Sequence, residues 1–236
     1  MQRVGIFPTC LLKRRDKRLG DISRELFDHM GIPAQVFAPP PCCGWVPYTR
    51  GDWPRAREEA RDWLQRAHSF DAVVIPSPSC VQFVRHYMSQ LFAGDDPVQE
   101  MWEHVRSHTH ELARYLDLIG YRPSREPLRG RCVLIPPCVS PHLPGVAESA
   151  LALLQAIPDL DVHMLPRHRC CSWGGAFHQD MPELSRAMME TVMHSVQEAA
   201  PDFAVVLDPG CQPLLARVGQ DVPIYHLAEV LAGHRP

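Results

Sequence analysis

The sequence predicts an α/β protein of two tandem-duplicated, Rossmann-like halves with parallel sheets, related by a pseudo-twofold axis. Three observations carry that expectation. Short apolar runs of β type alternate with amphipathic helical patterns, the order expected of parallel sheets covered by helices. A set of cysteines recurs in register along the chain. Each of those cysteines falls just beyond the end of an expected strand, at the edge where open α/β sheets bind ligands.

In chain order, residues 3–7, 34–38 and 72–75 read as strands of a first half spanning 1–94. Between the second and third, Asp52 and Pro54 suit a helix start. Ala56, Ala60, Trp63, Leu64 and Ala67 then recur at helical spacing as its buried face. Residues 95–128 form a helical connector, with about Phe92 to Arg129, including Trp102, Leu112, Tyr115 and Leu116, reading as one long helix and a loop. The second half, 129–236, repeats the order: strands over 132–135, 162–165 and 204–207, and a helix after Asp180 and Pro182 with Leu184, Met188, Val192, Val196 and Ala199 on its inner face.

The duplication is read from the cysteines. Cys10 precedes the pair Cys42-Cys43 by 31 intervening residues, and Cys138 precedes Cys170-Cys171 by the same 31. A shift of 128 also lays Arg3 on Arg131, Pro8 on Pro136, Trp45 on Trp173, Asp52 on Asp180 and Pro54 on Pro182. A shift of 131 then lays the stretch from Asp71 to Cys80 on that from Asp202 to Cys211. Each copy thus owns four cysteines in the order C, CC, C. The ninth, Cys132, falls on Val4, an apolar strand position, and reads as a small buried hydrophobe.

Composition excludes several function classes. With 236 residues, 45% of them hydrophobic and 22% charged, the chain can bury one or two ordinary cores. No run of about 18 apolar residues exists to span a membrane. The start, MQRVGIFPTC, lacks a signal-peptide pattern, so a cytoplasmic location is expected. A formal charge of −3 gives no electrostatic reason for nucleic acid, and Lys13-Arg14-Arg15 with Lys17-Arg18 reads as a solvated helix face. No G-x-G-x-x-G or P-loop motif supports nicotinamide, flavin or nucleotide binding.

Nine cysteines in a reducing compartment read as metal ligands or redox groups before disulfides. Four thiolates converging on one site suit an iron–sulfur cluster or a structural zinc ion. The wide gaps and the vicinal pairs weigh against zinc, which favours compact C-x₂₋₄-C knuckles. Adjacent cysteines can face one centre only if the backbone turns sharply between them, and the prolines before Cys42 and Gly44 after Cys43 suit such a turn. Ser172 stands in place of Gly44 in the second copy. Among the histidines His168, His178 and His226 lie near these motifs, and His178 is the one to test as an extra ligand. Trp45 and Trp173 shield the sites from water or serve as core packing.

The motifs PCCGW, SPSC, RCCSWGGAF, DPGC and HLAEVLAG resemble, over essentially the whole chain, the cysteine-rich CCG domain family of iron–sulfur oxidoreductases. The disulfide-cleaving component of heterodisulfide reductase belongs to the same family. The resemblance implies that Cys10, Cys42, Cys43 and Cys80 form one ligand set and Cys138, Cys170, Cys171 and Cys211 the other. It implies one or two [4Fe–4S] clusters, with zinc as an alternative in the first repeat, and Ser77 and Asp208 as further candidate ligands where some members carry a fifth cysteine. It further implies an electron-transfer subunit of an L-lactate (2-hydroxy acid) oxidising complex, not active alone, with a ferredoxin-like iron–sulfur subunit and a third small subunit as partners. A heterodisulfide-reductase-like role in thiol or sulfur metabolism and a zinc-stabilised scaffold without redox function are the alternatives.

Overall fold

Two four-stranded, all-parallel sheets organise the chain in the computed structural model, which describes residues 3–10, 18–38, 41–94, 96–123, 127–166, 169–219 and 221–234. The basic run from Lys13 to Lys17 and the candidate His168 lie outside these residues; Arg18 is exposed at the start of a helix. The chain divides into two compact units, 1–112 and 113–236.

In the first unit the elements are β1 (Val4–Ile6), α1 (Arg18–His29), β2 (Ala34–Val36), α2 (Trp45–Thr49), α3 (Trp53–Ala67), β3 (Ala72–Ile75), α4 (Pro78–Gln82), α5 (Asp96–Ser107) and β4 (Thr109–Glu111). Strand order is β2-β1-β3-β4. The β-type run of β3 is buried throughout, as a central parallel strand requires, whereas the edge strand β2 is half exposed. Asp52 caps α3 by accepting from Arg55 N, with Pro54 in the first turn. Its face of Ala56, Ala60, Trp63, Leu64 and Ala67 is buried as expected. Trp63 meets Phe7 edge-on with ring centroids 5.5 Å apart. Burial of each such large side chain contributes about 1.5–3 kcal/mol.

The second unit holds α6 (Leu112–Leu118), β5 (Gly130–Leu134), α7 (Val146–Gln155), β6 (Leu160–Met164), α8 (Phe177–Asp180), α9 (Pro182–Glu198), β7 (Phe203–Val206), α10 (Cys211–Leu215), β8 (Ile224–His226) and α11 (Leu227–Leu231). Strand order, β6-β5-β7-β8, is that of the first sheet. The registers match as well. Val4 pairs with Ala34 and Ala72, and the equivalent Cys132 pairs with Val162 and Phe203. Asp71 accepts from Arg3 N at 2.6 Å, and Asp202 accepts from Arg131 N at 2.7 Å, so the same carboxylate clamp ties the central strand in both halves.

Three expectations need correction. The connector is not one long helix: α5 stops at Ser107, β4 joins the first sheet beside β3, and α6 starts at once from Leu112. The buried Thr109 hydroxyl donates to Val105 O at 2.8 Å, helping to end α5. The inner face of α9 is Ser185, Met189, Val192, Met193 and Val196, with Leu184 exposed by 56%. Ser185 is turned inward to bond Ser172 in the cysteine loop, which rotates the first turn away from Leu184. Each sheet also has four strands where three apolar runs predict three, the additions being β4 and β8.

Candidate metal and redox site

Parallel strands put every loop that follows a strand on one edge of the sheet, and the cysteines of each repeat lie in those loops. Cys10 follows β1, Cys42 and Cys43 follow β2, and Cys80 lies in the first turn of α4 after β3. Cys138 follows β5, Cys170 and Cys171 follow β6, and Cys211 opens α10 after β7.

In the first repeat the sulfurs meet. Cys10 Sγ donates to Cys42 Sγ at 3.5 Å, and Gly44 N–H donates to the same sulfur at 3.4 Å. The Cys10 thiol, and next that of Cys43, hold Cys42 well below the usual thiol range. Cys10 is pushed up, first by its bond to Cys42 and then by burial. Cys43 is pushed up by its contacts to Cys42 and to Cys80 and by burial.

The second repeat uses the same acceptor. Ser172 N–H donates to Cys170 Sγ at 3.3 Å, and the Cys138 thiol lowers Cys170, while Cys138 is raised first by its bond to Cys170. The remaining two sulfurs, Cys171 and Cys211, are joined as a disulfide. The Asp208 carboxylate lies close enough to raise both Cys138 and Cys170.

The turn after each vicinal pair is left-handed. Gly44 has φ 96°, and Ser172, in its place, has φ 64°. The Ser172 hydroxyl donates to Ser185 O at 3.2 Å and lies 2.5 Å from Ser185 Oγ, so side-chain bonds offset the backbone strain that glycine avoids. A Cβ on Gly44 would stand 2.6 Å from Ala56 O and 3.3 Å from Ala60 Cβ. Gly44→Ala is therefore expected to lower stability in urea by about 2–3 kcal/mol, combining strain and overlap. A loss under about 0.5 kcal/mol would show that the turn does not depend on glycine.

Ser77 caps α4 by accepting from Cys80 N at 3.4 Å, and Asp208 Oδ1 accepts from Gly210 N at 3.0 Å. Both hold the loop that carries the last cysteine. His178 tilts over Trp173 with ring centroids 5.0 Å apart and places Nδ1 3.4 Å from Trp173 O. Trp173 is buried against Gly210, where an added Cβ would come within 2.3 Å of the indole, so it covers the Cys211 loop; Trp45 is half exposed. His226 is structural: Nδ1 accepts from Ala228 N and Nε2 faces Leu207 O at 2.8 Å, capping α11. Cys132 is fully buried in β5 and pushed up to about 12 by burial.

Two residues outside the sequence-derived set belong to the site. Glu59 lies on α3 against Cys42; burial first, and then the bond and negative charge of the Cys42 sulfur, raise its carboxyl to about 7. Glu59 Oε1 accepts from Arg55 Nε at 3.0 Å. A single carboxylate at the margin of an amphipathic face gives no signal in the sequence; only the packing of the cysteine loop on α3 brings it to the site. Thr9, fully buried with φ 66°, immediately precedes Cys10.

Among the described residues no three His, Cys, Asp or Glu side chains are disposed, as they stand, to close on a metal ion. The donor chemistry nevertheless fits thiolate ligation: four sulfurs per repeat from three loops, those of the second repeat once the Cys171–Cys211 bond is reduced, and one in each repeat already receiving a backbone N–H of the kind that tunes ligand sulfurs. The family described as the cysteine-rich domain, CCG, matches residues 4–85 and 132–216, which between them hold all nine cysteines.

The chain belongs to the CCG cysteine-rich domain family.

Each CCG match covers the first three strands of one sheet and its C, CC, C set, so the repeat is the family unit occurring twice. Relatives named lactate utilization protein A align end to end. That of Geobacillus kaustophilus is 29% identical over 97% of this chain and 98% of its own length. That of Oceanobacillus iheyensis is 28% identical over 99% of this chain and 98% of its own. A solved structure of a hypothetical protein from Helicobacter pylori superposes on the whole chain with a TM-score of 0.67 at 9% identity. The chain spans half the length of that protein, and the likeness establishes the fold alone. Among the described residues no helix is long and apolar enough to cross a membrane.

Proposed function

We propose that this CCG protein takes part in lactate utilisation as an electron-transfer subunit of a complex that oxidises L-lactate or a related 2-hydroxy acid. One observation carries the reading: two matched sets of four cysteines at the binding edge of two parallel sheets, in a chain collinear with proteins named for lactate utilisation. Cys10, Cys42, Cys43 and Cys80 would hold one metal group, and Cys138, Cys170, Cys171 and Cys211 the other. A [4Fe–4S] cluster, where bound, supplies one-electron transfer. The chain's own share is to fix the sulfurs. Gly44 and Ser172 turn the vicinal pairs and donate to Cys42 and Cys170, while Trp173 keeps water from the Cys211 loop. With no flavin or nicotinamide motif in the sequence, hydride chemistry falls to other subunits, for which a ferredoxin-like iron–sulfur protein and a third small protein are our candidates.

The deciding measurement is iron, acid-labile sulfide and zinc in protein purified without oxygen. Iron and sulfide in equal amounts, with a brown colour, are expected; colourless protein carrying only zinc would overturn the reading. The Cys171–Cys211 disulfide favours one second reading, thiol–disulfide chemistry of the heterodisulfide-reductase type.

A further inference from the structure

The geometry points to Glu59 as an oxygen ligand, through Oε2, to the metal centre held by Cys10, Cys42, Cys43 and Cys80. The inference rests on the metal-binding reading above and extends it to a residue outside the cysteine pattern. Glu59 lies on α3 at the margin of its buried face, between Ala56 and Ala60, the residues against which Gly44 of the cysteine loop packs, and its side chain is 22% exposed. Its two oxygens have different fates. Oε1 is taken by the exposed Arg55 at 3.0 Å. Oε2 is buried and receives no hydrogen bond of acceptable geometry, although the carboxyl lies against Cys42.

A buried acceptor left unmet costs about 1–3 kcal/mol, more when charged. In a metal-loaded site the cysteines are thiolates, which have no proton to donate. A carboxylate facing thiolates then adds repulsion to the unmet bond, and Arg55 is already engaged on the other oxygen. A metal cation among the sulfurs relieves both at once: Oε2 can enter in place of one thiolate at a tetrahedral ion or as an added donor at one iron, carboxylate oxygen being an ordinary ligand for zinc and for iron. Thr9 marks the same spot independently: its Oγ1 is also buried without a partner, and its backbone is held left-handed next to Cys10. A β-branched residue with positive φ is strained, and such strain gathers at functional sites. The buried faces of α3 and α9 match at a shift of 129, Ala56, Ala60 and Trp63 against Ser185, Met189 and Val192, so Glu59 corresponds to Met188, α9 offers no equivalent oxygen and the two sites differ in donor set.

The test is an anaerobic titration of the reduced, metal-free full chain with Co2+, read by thiolate-to-cobalt charge-transfer absorption and by the ligand-field bands. In E59Q the binding step that Cys10→Ser removes should weaken about 10–100-fold, with the other step unchanged. Folded E59Q that binds with wild-type affinity and spectrum overturns the inference alone. If the wild-type chain shows no charge-transfer band at all, the inference and the reading beneath it both fall. Should E59Q not fold, Glu59→Asp decides: a carboxylate drawn back by one methylene should shift the ligand-field bands of that step, and unshifted bands overturn the proposal.

Discussion

Anaerobically prepared Cys43→Ser protein is expected to lose the iron of the first repeat, about half of the total if both repeats load, and to unfold at lower denaturant. Cys132→Ser should keep all of it. The two cysteines are equally inaccessible, 1% and 0% exposed, so burial does not separate them. Their neighbours do. Cys43 touches Cys42 and Cys80 and ends a loop at the sheet edge, whereas Cys132 is shifted by burial alone, inside a strand paired on both sides. Serine at 132 places a hydroxyl in an apolar strand core and should cost about 1–3 kcal/mol without touching metal content. Iron analysis and urea denaturation on the same samples check both halves of the expectation. Equal iron loss from both variants would mean that the repeat pattern does not mark the ligands.

The second large effect is on turnover. The isolated chain should oxidise lactate with artificial acceptors at a rate lower, on the order of 100-fold or more, than a complex reconstituted with the partner subunits proposed above. The reason is chemical: thiolates and the metal groups they hold move single electrons, and removal of hydride from a 2-hydroxy acid needs a two-electron acceptor that this sequence has no motif to bind. Lactate-dependent dye reduction, with and without the partners, measures the ratio. An isolated chain that reduces a disulfide substrate rapidly, with lactate inert even in the complex, would transfer the assignment to thiol–disulfide chemistry.

How much of the fold is legible in the sequence depends on signal length. β1, β2, β3 and their counterparts are visible because each is an apolar run reinforced by its copy, and the matched registers at Val4 and Cys132 repeat that agreement in space. β4 and β8 are not, because three residues such as Thr109, His110 and Glu111 carry no periodicity; only the neighbouring strand makes them β. Apolarity alone sends Leu184 inward, yet Ser185 takes that position because a polar loop, with the Ser172 hydroxyl, lies under the first turn of α9. Within the site the cysteines stand out as a pattern. Glu59 does not, since a single carboxylate on an amphipathic helix looks like any exposed one until the chain brings Cys42 against it.

The central position of β1 sets a schedule for the protein's birth. Val4 lies in the first strand made, but one of its two partners, Ala72, is synthesised long after it, and Cys10 waits for Cys80 in the same way. Non-local pairings of this kind close slowly, so no intermediate on the way to a finished repeat owns a full set of sulfurs. All four cysteines of the first set nevertheless lie within residues 1–112, and N-terminal domains fold first during translation. The first set can be gathered while the second repeat is still being translated, and the two repeats would then acquire their metal in sequence.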